Sequence, residues 1–228
     1  MSIPVTVVIS CAGMGRRLGL SKTKALVHIC GRPLIAWQLD ALKWVRDLRV
    51  VVGYQSQDVI DYVLSVRKDV IFTFNHDYRE TGTAASFSKG ALGVSGLVVS
   101  LDGDLIVRPS HLKAFIYKQM PILGVLEPST DDPLYALMDN KSQMVTAFDR
   151  ESNKSKQAME WSGLCQLNVS QIVASQQMGL GSGHVYQLIE PHLPIPACQI
   201  DAREVDTSAD FSRAEEWLSK HMHEWDEF

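Results

Sequence analysis

Between residues 13 and 24 the chain carries Gly13, Gly15, Arg16, Arg17, Lys22 and Lys24, directly after the apolar run Val5 to Ser10. Glycine lacks Cβ, so Gly13 and Gly15 let the backbone take positive φ and bring N–H groups close to an anion, while the arginines and lysines add mobile positive charge. Such a loop suits a polyphosphate; the alternative is a solvated basic turn between a strand and a helix. Two kinds of phosphate loop are excluded. A dinucleotide fingerprint G-x-G-x-x-G needs glycine at 18, where Leu18 stands, and Gly19 comes one residue late. The next apolar strand, Leu48 to Tyr54, ends without an acid to meet a ribose hydroxyl. A G-x-x-x-x-G-K-[ST] loop is missing too, because no glycine directly precedes Lys22 or Lys24.

Carboxylates mark a second locus. Leu97 to Leu101 leads into Asp102-Gly103-Asp104, which places two acids at the carboxyl end of a strand, where open α/β sheets bind ligands, and two acids there suggest a cation. A turn or helix-capping aspartate is the alternative, and it stays open for Asp102. A second acidic run, Glu204-Val205-Asp206-Thr207-Ser208-Ala209-Asp210, precedes a helical pattern, with Asp210 placed to be its N-cap. His221 and His223 form an H-x-H on a helix end, read as solvated.

The loop reads G-x-G-x-R-L with a lysine shortly after. In this the chain resembles the nucleotidyltransferase superfamily of sugar and alkyl phosphate activation, whose motif is G-x-G-x-R-[LM] followed by P-K; Thr23 stands in place of the proline. Residues 204–215 resemble the E-[IV]-D-[ST]-x-x-D-L-x-x-A-E segment of the choline-phosphate and aminoalkylphosphonate cytidylyltransferase branch. The resemblance implies a reaction in which a phosphate or phosphonate oxygen attacks the α-phosphorus of a nucleoside triphosphate and pyrophosphate leaves.

In that reading Arg17 and Lys24 are catalytic, Ala12, Gly13, Met14, Gly15 and Arg16 hold the nucleotide, and Asp104 and Asp206 bind Mg²⁺. Asp102 has no general counterpart and is placed with the nucleotide, as a base-edge contact or as a support behind the metal ligands. The hydroxyl-rich stretch after Asn75 supplies Thr81, Gly82 and Thr83 for the nucleotide and Ser86 for the acceptor. Lys156, or its neighbour Lys154, matches a late lysine that meets the acceptor's phosphate. Glu160 and Trp161 border the acceptor pocket, the first to pair with a primary ammonium, the second to hold a quaternary one by cation–π attraction, with a place in the core as the alternative for Trp161. An acceptor phosphate is ionised at neutral pH, so no general base is needed.

Elements must position these residues. Apolar runs at Val5 to Ser10, Leu48 to Val52, Val70 to Phe74, Leu97 to Leu101 and Ile122 to Leu126 are continuous rather than alternating and are separated by helical patterns. That predicts an α/β, Rossmann-like, mostly parallel sheet with helices on both faces. Helices are expected from Pro33 through Val45, from Ser56 with Val59, Tyr62, Val63 and Val66 inward, from Thr83 to Leu92 and from Pro109 to Lys118. Tyr135 to Met138 and Met144 to Phe148 form a small hairpin insertion across Asp139-Asn140-Lys141, and Arg150 to Gln157 is a polar loop. A last helix buries Phe211, Ala214, Trp217, Leu218 and Met222.

With 228 residues, 46% of them hydrophobic, one nucleotidyltransferase domain over residues 1–228 is expected. A net charge of -4 argues against a nucleic-acid partner, and no apolar run reaches membrane-spanning length. Cys11, Cys30, Cys165 and Cys198 show no metal or disulfide spacing and are expected to be buried free thiols of a cytoplasmic protein. CTP with a phosphocholine or 2-aminoethylphosphonate type of acceptor is the first reading. A sugar 1-phosphate nucleotidyltransferase is the second, and a non-catalytic nucleotide-binding module is a rival of another class. A nicotinamide-dependent oxidoreductase is disfavoured by the missing third glycine. Base, acceptor and oligomeric state, a homodimer included, are left open.

Overall fold

The computed structural model describes residues 3–15, 23–130, 132–139, 141–151 and 158–226. Arg16, Arg17, Lys22, Asn140, Lys154 and Lys156 lie outside the described residues.

The strands in chain order are β1 (Val5–Cys11), β2 (His28–Ile29), β3 (Arg32–Pro33), β4 (Asp47–Val52), β5 (Val70–Phe74), β6 (Leu97–Asp102), β7 (Leu105–Val107), β8 (Ile122–Leu126), β9 (Tyr135–Met138), β10 (Met144–Asp149), β11 (Ala158–Asn168), β12 (Ile195–Gln199) and β13 (Ala202–Glu204). The helices are α1 (Leu34–Ala41), α2 (Ser56–Val66), α3 (Thr83–Gly90), α4 (Pro109–Ile116), α5 (Val169–Gln177), α6 (Val185–Ile189), α7 (Ser208–His221) and α8 (His223–Asp226). Nine strands form one sheet in the order β5-β4-β1-β6-β11-β8-β12-β10-β9. The first four run parallel, β12 is parallel to β8, and β11 is antiparallel to both its neighbours. The α/β architecture read from the continuous apolar runs is therefore present, and β9 and β10 pair as the expected hairpin.

Strand β1 shows why those runs are continuous. Val7 and Ile9 pack into one core with α1, α2 and α4, while Val8 packs into another with α3, α5 and α6. Successive side chains point to opposite faces, so a strand covered on both sides needs apolar residues throughout. A third apolar cluster joins Trp37 of α1 to Trp217 and Trp225 of the C-terminal helices, with ring centroids 5.4 Å apart for Trp37–Trp225 and 6.3 Å for Trp217–Trp225. Among the described residues no helix is long and apolar enough to cross a membrane.

Several sequence expectations are corrected. Pro33 is the N-cap of α1 rather than its first residue, and the helix stops at Ala41, so Leu42 and Val45 are buried beyond its end. Helices α3 and α4 stop at Gly90 and Ile116, earlier than the apolar pattern suggested. Val66 is 50% exposed because it closes α2 at the edge of the sheet, and Met222 is likewise exposed past the end of α7. Asp210 is not the N-cap of α7. Thr207 is, and its backbone N–H and hydroxyl both donate to Asp210 Oδ2, at 2.9 and 2.7 Å. All four cysteines are free, but only Cys11 and Cys165 are buried.

Candidate active site

A cleft of about 460 Å³ opens at the carboxyl ends of β1 and β6. Its first wall is the glycine loop. Ala12, Gly13 and Gly15 line it, with Met14 between them in the chain. Gly15 has φ +60°, and a Cβ there would stand 2.6 Å from Lys24 Cγ, so the start of the loop and its return at Lys24 touch. The return is fixed by Gln55, whose Oε1 accepts from the Thr23 N–H at 2.8 Å.

The floor is the Asp102-Gly103-Asp104 turn. Gly103 N–H donates to Ser10 O at 3.0 Å, and a Cβ at Gly103 would lie 2.7 Å from the same oxygen, so only glycine lets the turn sit against β1. Buried Gln38 of α1 holds the turn from behind, donating to the carbonyls of Asp102 (2.7 Å) and Leu105 (2.8 Å). Antiparallel pairing of β7 with β13 sets Glu204 opposite Leu105, and Val205 N–H donates to Asp104 O at 3.0 Å. Those bonds bring the two distant acidic runs together. Asp104, Glu204 and Asp206 each offer an oxygen within 4.8 Å of the others.

Lys24 closes this cluster. Its Nζ donates to Asp104 Oδ2 at 2.8 Å and also to Asp206 Oδ1. Burial pulls the Lys24 ammonium down, but the two carboxylates outweigh it and its pKa is raised. Burial, with Asp104, pushes the Asp102 carboxyl up to about 7; burial and the three aspartates push Glu204 up to about 8. Burial is the larger cause of both shifts, and negative charge beyond what the single lysine neutralises adds to it. Asp102 Oδ1 is buried without a partner, while Gly163 faces its other oxygen. The Cys11 and Cys165 thiols are pushed up by burial and by nearby aspartates, which removes both as nucleophiles at neutral pH.

Thr81, Gly82, Thr83 and Ser86 line the cleft near its loop side. Asn75 organises them, donating to Thr81 Oγ1 (3.2 Å) and Ser86 Oγ (3.1 Å). Thr83 Oγ1 accepts from Val185 N–H at 3.2 Å, which ties α3 to α6.

On the opposite wall Glu160 and Trp161 stand side by side on β11. The Glu160 carboxylate is engaged by its own fold, accepting from Ser129 N (2.6 Å), Thr130 N (3.3 Å) and Thr130 Oγ1 (2.6 Å). Trp161 belongs to an aromatic group: its ring is 5.5 Å from Phe148 and 6.4 Å from Tyr186, and His184 stacks on Tyr186 at 5.9 Å. Trp161, His184 and Tyr186 line the cleft. The Trp161 indole N–H is buried without a partner.

The structure thus brings Lys24, Asp104, Asp206, Asp102, Thr81, Gly82, Thr83, Ser86, Glu160 and Trp161 to one cleft; Arg16, Arg17 and Lys156 fall outside the described residues. Sequence reasoning missed Glu204, Gln38, Asn75, Tyr186 and His184. Glu204 carried a usable signal, since it alternates with Asp206 at i, i+2 in an extended run. Gln38 sits inside an apolar helix, where a lone amide gives none.

Comparison with known proteins gives the family and the fold. Residues 7–146 match the MobA-like NTP transferase domain family. "Bifunctional protein GlmU" of Geotalea daltonii is 27% identical over 136 residues, and that of Zymomonas mobilis 33% over 138; each alignment covers 57% of this chain. The chain spans about 30% of the length of these curated relatives, 30% and 31% respectively. The fold is shared with the inositol-1-phosphate CTP transferase from T. maritima (TM-score 0.80, 19% identity, 96% of each chain). It is shared also with the CTP:phosphocholine cytidylyltransferase LicC from Streptococcus pneumoniae (TM-score 0.74, 21% identity, 95% of this chain and 100% of that one). With the family match spanning the glycine loop, Lys24 and the Asp102-Gly103-Asp104 turn, the chain belongs to the MobA-like NTP transferase domain family.

Proposed function

We propose that the cleft joins a nucleoside monophosphate from a nucleoside triphosphate, CTP as first candidate, to a small acceptor bearing a phosphate or phosphonate and a cationic group, releasing pyrophosphate. The observation that carries this reading is the convergence of Asp104, Glu204 and Asp206 with Lys24 beside a glycine loop. Three carboxylates with oxygens this close form a hard, all-oxygen donor set that fits Mg²⁺. They would hold the ion, which when bound supplies positive charge where the α-phosphate and the incoming acceptor oxygen meet.

The chain's own groups do the rest. Backbone N–H groups of residues 13–15 and the Lys24 ammonium meet the polyphosphate, and that charge gains importance as pyrophosphate departs. Arg17 is assigned the same task from its place in the motif. Thr81, Gly82, Thr83 and Asp102 hold the nucleoside, the unpartnered Asp102 Oδ1 being ready to accept from a base edge. Ser86 and Lys156 are assigned to the acceptor's phosphate end. The cationic end is read from the aromatic wall, since Trp161, Tyr186 and His184 form an aromatic group that lines the cleft, as does Glu160. A neutral sugar would instead call for several hydroxyl partners.

Fold likeness to an inositol-1-phosphate CTP transferase keeps a cyclitol or sugar phosphate as the second reading. A pyrophosphate-release screen separates the two: CTP, UTP, GTP, ATP and dTTP are each paired with phosphocholine, 2-aminoethylphosphonate, inositol 1-phosphate and several sugar 1-phosphates. Turnover with CTP and a cationic acceptor is the expected result. Faster turnover of a sugar or cyclitol phosphate would overturn the acceptor and leave the nucleotidyl transfer standing.

A further inference from the structure

We propose that Lys24 fills the cation position of the three-carboxylate cluster until a nucleoside triphosphate arrives, so that metal ion and nucleotide bind only together. The inference rests on reading Asp104, Glu204 and Asp206 as the metal site.

Lys24 Nζ donates to both Asp104 Oδ2 and Asp206 Oδ1, and all three side chains are shielded, at 17%, 19% and 14% exposure. A divalent ion seated on those oxygens at about 2.1 Å cannot share them with an ammonium, since the two cations would stand in contact with no anion between. One must leave. Lys24 leaves readily only for another anion, because a shielded ammonium stripped of its partners carries a large desolvation penalty. The glycine loop places that anion next to it: Gly15 packs against the Lys24 stem, so a polyphosphate held by the loop lies beside the same side chain. The exchange is balanced in charge. Mg²⁺ takes the carboxylates, and the ammonium passes to the polyphosphate.

Two effects of opposite sign follow. Removing the ammonium frees the carboxylates for a metal ion, yet removes a contact from the nucleotide. A lysine that served only the polyphosphate would leave the affinity for free metal unchanged. Because linkage is reciprocal, nucleotide must raise metal affinity in the wild type by the factor by which metal raises nucleotide affinity.

The test uses Mn²⁺ alone as probe, counted as free ion by electron paramagnetic resonance, with the intact chain and no nucleotide. Wild type is expected to bind Mn²⁺ weakly, Lys24→Met at least tenfold more tightly, and Lys24→Arg, which keeps the charge, as weakly as wild type. Asp206→Asn added to Lys24→Met should abolish the gain, which locates the binding in the cluster. Equal Mn²⁺ affinity of wild type and Lys24→Met, within twofold, overturns the proposal while leaving the metal site intact. Should Lys24→Met not fold, wild type decides alone: Mn²⁺ uptake that requires CTP, read by water-proton relaxation, supports the exchange, and tight uptake without it overturns it. No uptake by any variant with or without CTP overturns both the exchange and the metal site.

Discussion

Asp104 and Asp206 sit where two chain segments end in one cleft, and neither contributes to an apolar core. Asp104→Ala and Asp206→Ala are therefore expected to abolish turnover at saturating Mg²⁺ while the circular dichroism spectrum is unchanged; wild-type-like rates in either would remove the metal assignment. Asp102 gives a pH signature instead. Its carboxyl is raised from 3.8 to about 7, so between those values the folded protein holds a proton that the unfolded chain has lost. Stability of the metal-free protein should fall as pH rises through that window, and Glu204, raised from 4.5 to about 8, adds to the same slope. Asp102→Asn should flatten the slope and raise Tm by about 2 °C or more at pH 8, with little change at pH 4, measured by thermal scans in EDTA. Asp104 was legible because it follows the carboxyl end of an apolar strand, and Asp206 through the resemblance of its segment, whereas Asp102 kept a turn or capping alternative. Glu204 was missed although it alternates with Asp206, because its place beside Asp104 depends on a three-residue pairing with β7 that no periodicity reveals.

Elements place the residues, and their boundaries obey chemistry that the apolar pattern does not carry. Helix α7 begins where Thr207 exchanges hydrogen bonds with Asp210, one residue after Asp206. Thr207→Ala should cost about 1 kcal/mol, or about 2–4 °C in Tm, and should raise the Mg²⁺ concentration needed for half-maximal activity because the cap fixes the backbone beside Asp206. An unchanged Mg²⁺ requirement would show that Asp206 is held by β13 alone. Gly82, which also lines the cleft, is a second such boundary. A Cβ there would come within 2.2 Å of Gly183 O, backbone against backbone. Gly82→Ala is expected to lose at least the 1–3 kcal/mol typical of overpacking and to loosen α3 from the 182–185 turn, seen as faster amide exchange at Val185. The sequence showed β1, β4, β6 and β8 because both their faces are mostly buried, whereas β5, at the sheet edge with Ile71 and Phe74 exposed, showed by its apolar run alone. Most of β11 escaped notice: Glu160, Ser162, Gly163 and Gln166 interrupt its apolar run, and the register shifts between Trp161 and Cys165 where Gly163 takes φ +83°. Tertiary pairing, not local propensity, makes it a strand.

At the scale of the molecule the cleft has two walls of different origin. The glycine loop and the Asp102-Gly103-Asp104 turn come from the parallel strands β1 and β6, whereas Trp161 comes from antiparallel β11, and His184 and Tyr186 from the start of α6. The division predicts that nucleotide and acceptor affinities can be altered separately. Tyr186→Ala and Trp161→Ala should raise the KM of a cationic acceptor by about 2- to 30-fold each, the range that corresponds to 0.5–2 kcal/mol of cation–π attraction, and leave the KM for CTP within twofold. Glu160→Gln should act differently. It weakens the grip on Ser129 and Thr130 and so should lower thermal stability as well as acceptor affinity. The control is an acceptor of equal phosphate charge without the cation, such as phosphoethanol. Its KM should be high in wild type and indifferent to Tyr186→Ala, because a neutral group gains little from a ring face. Equal sensitivity of both acceptors would mean that the aromatic wall acts by shape rather than by charge, and the cationic acceptor would lose its main support.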